Sequence, residues 1–117
     1  MKNILLTGAT GFVGKQIIKA LSKFSVNIVP VVRSGKEINF KRTGNIKKII
    51  SSPDIFKENE SWWTNQCKGI DIIIHAAWYA EPGKYLQSPK NTDCLIGSLN
   101  LAKGAVKAGV TRFIGIG

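Results

Sequence analysis

One octapeptide, Thr7-Gly8-Ala9-Thr10-Gly11-Phe12-Val13-Gly14, constrains this chain more than any other stretch. An apolar run, Ile4-Leu5-Leu6, precedes it, and an amphipathic stretch from Phe12 to Phe24 follows. Glycine at positions 8, 11 and 14 lets the backbone turn sharply and keeps Cβ atoms away from an approaching group. A strand that passes through such a turn into a helix aims the free N–H groups of the first helical turn at an anion, and the helix dipole favours it. The order strand, glycine turn, helix therefore suits the pyrophosphate of a dinucleotide. The i, i+3, i+6 spacing differs from G-x-G-x-x-G, so the helix must start slightly differently. A glycine trio alone is often only a tight turn; the flanking strand and helix raise it above that.

Strand and helix signals alternate along the rest of the chain. Lys2 to Thr7 reads as a buried strand, and Phe12 to Lys23 as a helix with Phe12, Ile17, Leu21 and Phe24 near one face. Val26 to Val32 is a β-branched second strand, in which Pro30 predicts a bulge or a ladder gap. Ser34 to Asn45 reads as a loop, Ile46 to Ile50 as a short third strand, and Ser51-Ser52-Pro53-Asp54 as a turn. Lys57 to Cys67 reads as a helix carrying Trp62 and Trp63, closed by Gly69 ahead of a fourth strand, Asp71 to His75. Glu81-Pro82-Gly83 breaks the chain. A long helix then runs from Asn91 or Thr92 to Ala108, with an apolar stripe of Leu95, Leu99, Ala102 and Val106. Gly109 ends it, and Arg112 to Ile116 is the fifth strand.

This alternation predicts an α/β fold, a parallel sheet with helices on both faces. Right-handed crossovers leave a crevice at the carboxyl ends of the strands, where the strand order reverses. Gly8 to Gly14, Arg33, Asp54 and His75-Ala76-Ala77 all come just after predicted strands, so they converge on that rim. The final segment, Thr111 to Gly117, is apolar and follows a helix. It reads as a core strand, and the expectation is the front part of a longer protein.

Composition narrows the class. A chain of 117 residues makes one domain at most, and 44% apolar with 21% charged residues is the balance of a soluble globular protein. No apolar run approaches the roughly 20 residues that span a bilayer. The start, Met1-Lys2-Asn3, enters a strand with no secretory h-region. A cytoplasmic protein with no membrane partner is expected. Cys67 and Cys94 have no metal-ligand spacing to the sole histidine, His75, so they read as reduced, partly buried thiols without a metal site. The net charge of +10 invites a nucleic-acid reading. The charges are scattered, however, and no helix-turn-helix, zinc or RNA-binding aromatic motif accompanies them, which argues against nucleic acid as a partner.

The chain resembles the extended short-chain dehydrogenase/reductases, in particular their nucleotide-sugar epimerase/dehydratase branch. The family's T-G-x-x-G-x-x-G stands intact as Thr7 to Gly14. Its G-x-D-x-x-x-H-x-A segment is Gly69-Ile70-Asp71-Ile72-Ile73-Ile74-His75-Ala76-Ala77. Its helix with an asparagine ahead of G-x-x-N-L is found as Asn91 to Gly97, Asn100 and Leu101, with five residues between Asn91 and Gly97, and its G-V-x-R-F lead as Gly109 to Phe113. The resemblance covers the whole chain in register. It implies a Rossmann-like doubly wound parallel sheet, incomplete here at about five strands.

The resemblance also implies site roles. Thr7, Gly8, Gly11 and Gly14 would belong to the pyrophosphate turn, with Phe12 and Val13 donating backbone N–H groups. Asp54 and Ile55 would contact the adenine; an aspartate that merely caps Phe56 onward fits those residues as well. Ala76 and Ala77 would lie against the cofactor, where small side chains allow close approach. Asn91 would tie its helix start to the strand below. His75 is expected to pack or hydrogen-bond locally. Trp78, Tyr79 and Lys84 suit packing or surface positions better than substrate contact, and Trp62 and Trp63 suit core and surface.

Arg33 bears on cofactor choice. Family members that prefer NAD usually carry an acid at the end of the second strand, which accepts from the ribose 2′-hydroxyl. Here that place reads Val31-Val32-Arg33-Ser34, followed by Lys36, Lys41 and Arg42 with only Glu37 opposing. A guanidinium suits a 2′-phosphate through charge-assisted bonds, so NADP is favoured over NAD. An arginine stacked on adenine would leave NAD in place.

The family's catalytic Ser/Thr and Tyr-x-x-x-Lys pair fall beyond Gly117, and neither Tyr79 nor Tyr85 has a lysine four residues later. No catalytic residue is therefore placed in this segment. The expected function is the NAD(P)-binding part of a nucleotide-sugar epimerase, dehydratase or reductase acting by hydride transfer, inactive alone; the resemblance admits a homodimer of the full-length protein. The alternative is a non-catalytic dinucleotide sensor on the same fold.

Overall fold

The structure is a computed structural model that describes residues 1–37, 45–78 and 89–116. Its sheet has five parallel strands, β1 (Lys2–Thr7), β2 (Val26–Arg33), β3 (Ile50–Ser52), β4 (Ile72–His75) and β5 (Arg112–Gly115), in the order β3-β2-β1-β4-β5. Helices α1 (Phe12–Leu21), α2 (Glu60–Gln66) and α3 (Lys90–Ala108) and a 3-10 turn, Ile55–Lys57, make the crossovers. The order reverses between β1 and β4, which opens the crevice there.

The pleat of β1 explains why both faces are covered. Leu5 lies in register between Val29 and Ile73. On that face it meets Trp63 of α2, the adjoining Cys67, and Leu101 and Ala105 of α3. Leu6 points the opposite way, onto Ile28, Val32 and Ile18 of α1. Successive side chains of a strand alternate between faces, so central strands covered on both sides must be apolar throughout. This is the Rossmann-like arrangement the sequence predicts.

Pro30 perturbs the ladder on one side only. The β1–β2 pairing runs unbroken from Lys2↔Val26 to Leu6↔Pro30. On the other side Ile28 bridges Ile46, yet Val31 pairs with Ile50, so three residues face two across the gap. The Ile28 N–H donates to Asn45 O and the Ser34 N–H to Ser52 O, so alternate amides of β2 point to β3. Proline has no N–H to give at the position between them. The third strand consequently begins at Ile50; the expected Ile46–Ile50 strand keeps only its end residues in pairing.

Two predicted apolar faces are corrected. On α3 the residues Leu95, Leu99 and Val106 are 53%, 52% and 78% exposed, and Cys94, Gly97, Leu101, Gly104 and Ala105 are buried instead. The helix turns a small-residue seam inward. A Cβ on Gly97 would stand 2.4 Å from Phe56 Cα, and one on Gly104 2.6 Å from Trp63 Cβ. On α1, Gly14 and Ile18 are buried and the expected Ile17 and Leu21 are half-buried against the same cluster, whereas Phe12, and Phe24 beyond the helix end, are exposed. Trp63 is core, as expected, and Trp62 is half-buried against the same cluster and not on the open surface. Gly109 caps α3 in the left-handed region, φ +87°.

β5 hydrogen-bonds to β4 at one end of the five-stranded sheet, and its residues are exposed there. Among the described residues no helix is long and apolar enough to cross a membrane, and no group of His, Cys, Asp and Glu side chains could hold a metal ion.

Candidate functional site

Thr7 ends β1 fully buried, and its hydroxyl organises the strand ends around it. Its Oγ1 accepts from the amides of Ala76 (3.0 Å) and Ala77 (3.2 Å). With both lone pairs engaged, its own proton is left to donate to His75 Nδ1, 2.6 Å away. Nδ1 therefore accepts, the ring proton sits on Nε2, and Nε2 donates to Ser98 Oγ of α3 at 2.8 Å. Burial pushes the His75 pKa down to about 4, so the imidazole is neutral at pH 7. His75 is a buried local anchor, as expected.

The glycines divide by what surrounds them. Gly8 has φ +69°, and a Cβ there would stand 2.8 Å from the Ala77 nitrogen. A Cβ on Gly14 would stand 2.0 Å from the Gly8 carbonyl oxygen. Both are required by the protein's own backbone. Gly11 is different: its Cβ would meet only the Gly8 oxygen, at 3.4 Å, an ordinary contact. Gly11 begins α1 in an extended conformation with no side-chain cap. The first amides of a helix have no intrahelical acceptor, so those of Phe12 and Val13 sit at its uncapped, positive end.

A cleft of about 390 Å³ opens in front of this turn. Gly8 and Gly11 line it with Arg33, Asp54, Ile55, Ala76 and Ala77, residues from the ends of four strands. Thr7 and Gly14 are buried, and Phe12 and Val13 are exposed on the first turn of α1. Asn91 is in the first turn of α3, where its Oδ1 accepts from the Trp78 indole at 2.8 Å. Asp54 caps the 3-10 turn by accepting from the Phe56 amide at 3.0 Å, and it also lines the cleft.

Sequence reasoning missed Thr10, Val31, Val32, Ser52, Pro53 and Phe56 as cleft residues and placed Trp78 outside it. Ser52 had a signal, the end of a strand, but that strand was set too early. Phe56 had none, because its place depends on Gly97 of α3. Lys41, Arg42, Tyr79, Lys84 and Tyr85 lie outside the described residues. Burial pushes the Cys67 thiol up to about 11, which keeps it protonated and inert.

A family model, NAD-dependent epimerase/dehydratase, matches residues 4–117. The chain belongs to this family. Its curated relatives include UDP-glucose 4-epimerase of Neisseria meningitidis serogroup A, 33% identical over 97% of this chain and 36% of the relative. The chain thus spans about a third of that relative's length. Among solved structures, UDP-glucose 4-epimerase of Thermotoga maritima, crystallised with UDP-glucose, is 27% identical with a TM-score of 0.72, over 97% of this chain and 37% of that one. The Bordetella bronchiseptica enzyme WbmH, crystallised with NAD+, shares the fold at 21% identity and a TM-score of 0.72, over 97% of this chain and 38% of that one. As an epimerase/dehydratase family member, the chain carries its glycine turn and cleft at the strand ends where doubly wound folds bind ligands.

Proposed function

We propose that residues 1–117 form the dinucleotide-binding part of an enzyme that oxidises, reduces or epimerises a nucleotide-linked sugar. In this reading the catalytic Ser/Thr and the Tyr-x-x-x-Lys pair of the family are supplied from outside the segment. One observation carries it. Of three glycines in one turn, Gly8 and Gly14 answer to the protein's own packing, while Gly11 keeps a side-chain-free surface beside an uncapped helix start. That is the form of a pyrophosphate cradle.

Each residue then has a task. The Phe12 and Val13 amides face the pyrophosphate. Thr7, through the Ala76 and Ala77 amides, holds the floor on which the cofactor lies. Asp54 fixes the turn that offers Ile55 to the adenine, and Asn91 positions the start of α3. When bound, the nicotinamide takes and returns a hydride. Arg33 and Lys36 both line the cleft at the end of β2, which favours NADP through a ribose 2′-phosphate. The Neisseria and Thermotoga relatives are UDP-glucose 4-epimerases, which supports a nucleotide sugar as the substrate class.

The test is to incubate the full-length protein with NADP or NAD and UDP-glucose or UDP-N-acetylglucosamine, following the sugar by NMR. Epimerised or oxidised sugar supports the enzyme reading. Dinucleotide binding without turnover of any nucleotide sugar points to the sensor on the same fold.

A further inference from the structure

Most of the positive charge lies in the first half of the chain. Residues 1–53 carry ten Lys and Arg against one acid, Glu37, whereas residues 54–117 carry seven against six. The fold gathers several of these separate charges. Phe12, Lys15, Lys19 and Lys23 recur at i, i+3, i+7 and i+11, which sets them in one stripe along α1 and the turn that extends it. Gly14, Ile17, Ile18 and Leu21 hold the opposite face of the helix against the sheet, so the stripe points to solvent and all four of its residues are exposed. Phe12 at its start is 79% exposed, and Phe24 at its end 63%. The Asn45 side-chain amide donates to the Phe24 and Val26 carbonyls, each at 3.1 Å, which lays the following segment beside the end of α1. Ile46 and Ile49 of that segment pack into the α1 cluster, and Lys47 and Lys48 between them are exposed. Among the described residues no acid pairs with any of these five lysines; the Lys107–Glu60 bridge joins α3 to α2 on the other face.

We infer that the outer face of α1, together with Lys47 and Lys48, is a docking surface for an anionic lipid bilayer: the lysines meet the headgroups, and Phe12 and Phe24 enter the interface at the two ends of the stripe. The rings favour a bilayer over other polyanions. Binding phosphates alone gives no reason to expose two phenyl groups, whereas aromatic side chains beside basic ones are the composition of an interfacial helix. Each lysine near an anionic surface multiplies the binding, and its effect fades within a Debye length. Attachment of this kind needs no membrane-spanning helix. It replaces the expectation of no membrane partner, which rests on the lack of an apolar span. The surface is also separate from the dinucleotide cleft, since none of the five lysines lines that cleft.

The experiment is co-sedimentation of the full-length protein with vesicles of phosphatidylcholine alone and of phosphatidylcholine mixed equally with phosphatidylglycerol. Binding to the mixed vesicles only is expected, with release as salt rises. The triple variant Lys15→Gln, Lys19→Gln, Lys23→Gln should bind them about a hundredfold more weakly, at about fivefold per lysine. The triple variant Lys57→Gln, Lys68→Gln, Lys103→Gln loses the same charge from the α2–α3 side and should stay within about threefold of the unsubstituted protein. Phe24→Ser should weaken binding about fivefold, because its ring no longer enters the interface. All these side chains except Phe24 belong to exposed lysines, and circular dichroism checks that each variant is folded. No binding to the mixed vesicles overturns the inference. So does an equal loss in the two triple variants, which would make the effect one of net charge. Preferential binding to single-stranded RNA supplied at equal phosphate also overturns it and gives the face to nucleic acid.

Discussion

The Thr7 hydroxyl and the His75 ring, 68 residues apart, meet at 2.6 Å where β1 and β4 end side by side. The contact fixes the imidazole tautomer, frees the Thr7 lone pairs for Ala76 and Ala77, and passes through Ser98 to α3. One hydroxyl thus ties the first strand to the floor of the cleft.

Replacing Thr7 with Val keeps the shape and removes the hydroxyl. Two amides and one ring nitrogen lose their partner in a buried place, which should cost about 3 kcal/mol of stability in a urea titration. Thr7→Ser retains the hydroxyl and should recover most of that loss.

His75 gives the fold a pH dependence with a defined sign. Its folded pKa, lowered by burial to about 4, lies below the ordinary value of 6.5, so between those values the unfolded chain binds the extra proton. Stability from this residue is complete above pH 6.5 and declines as pH falls toward 4, by about 3 kcal/mol in total. Stability curves of the native chain and His75→Gln should therefore converge as pH drops from 7 to 4. Parallel curves over that range would remove His75 as the cause.

Gly14 and Gly11 should separate folding from binding. A methyl on Gly14 runs into the Gly8 carbonyl, so Gly14→Ala should destabilise by about 3 kcal/mol or fail to fold. Gly11→Ala meets only an ordinary contact and should cost about 0.5 kcal/mol as a helix cap. Its methyl stands on the side-chain-free surface, and NADPH affinity should fall about tenfold. Thermal melts and calorimetry on the same two variants read both effects.

β5 and the residue after it leave Phe113, Ile114 and Ile116 about 40% exposed at the edge of the sheet. Such an edge invites pairing with another chain. Light scattering of the 117-residue chain should rise with concentration, and Ile114→Lys should suppress it.

How much of this was legible in the sequence follows from where each constraint acts. The β1-turn-α1 unit was read correctly because its glycines meet demands of neighbouring backbone, which local spacing records. Arg33, Asp54 and Ala76 were placed on the cleft because strand ends must share one rim in a parallel sheet. β3 was misplaced because Pro30 shifts its pairing from across the sheet. The apolar stripe of α3 misled because Phe56 and Trp63 press against Gly97 and Gly104, so the helix buries small residues while the leucines stay outside. Periodicity identifies a helix; its neighbours decide which face is buried.

The central claim, that the cleft takes a phosphorylated dinucleotide, is tested most directly by calorimetric titration of the chain with NADPH and with NADH at pH 7. One site per chain is expected, with a lower Kd for NADPH than for NADH and a steeper loss of the NADPH affinity as salt rises. Absence of heat with both dinucleotides, at a protein concentration where the chain is folded by circular dichroism, would contradict it.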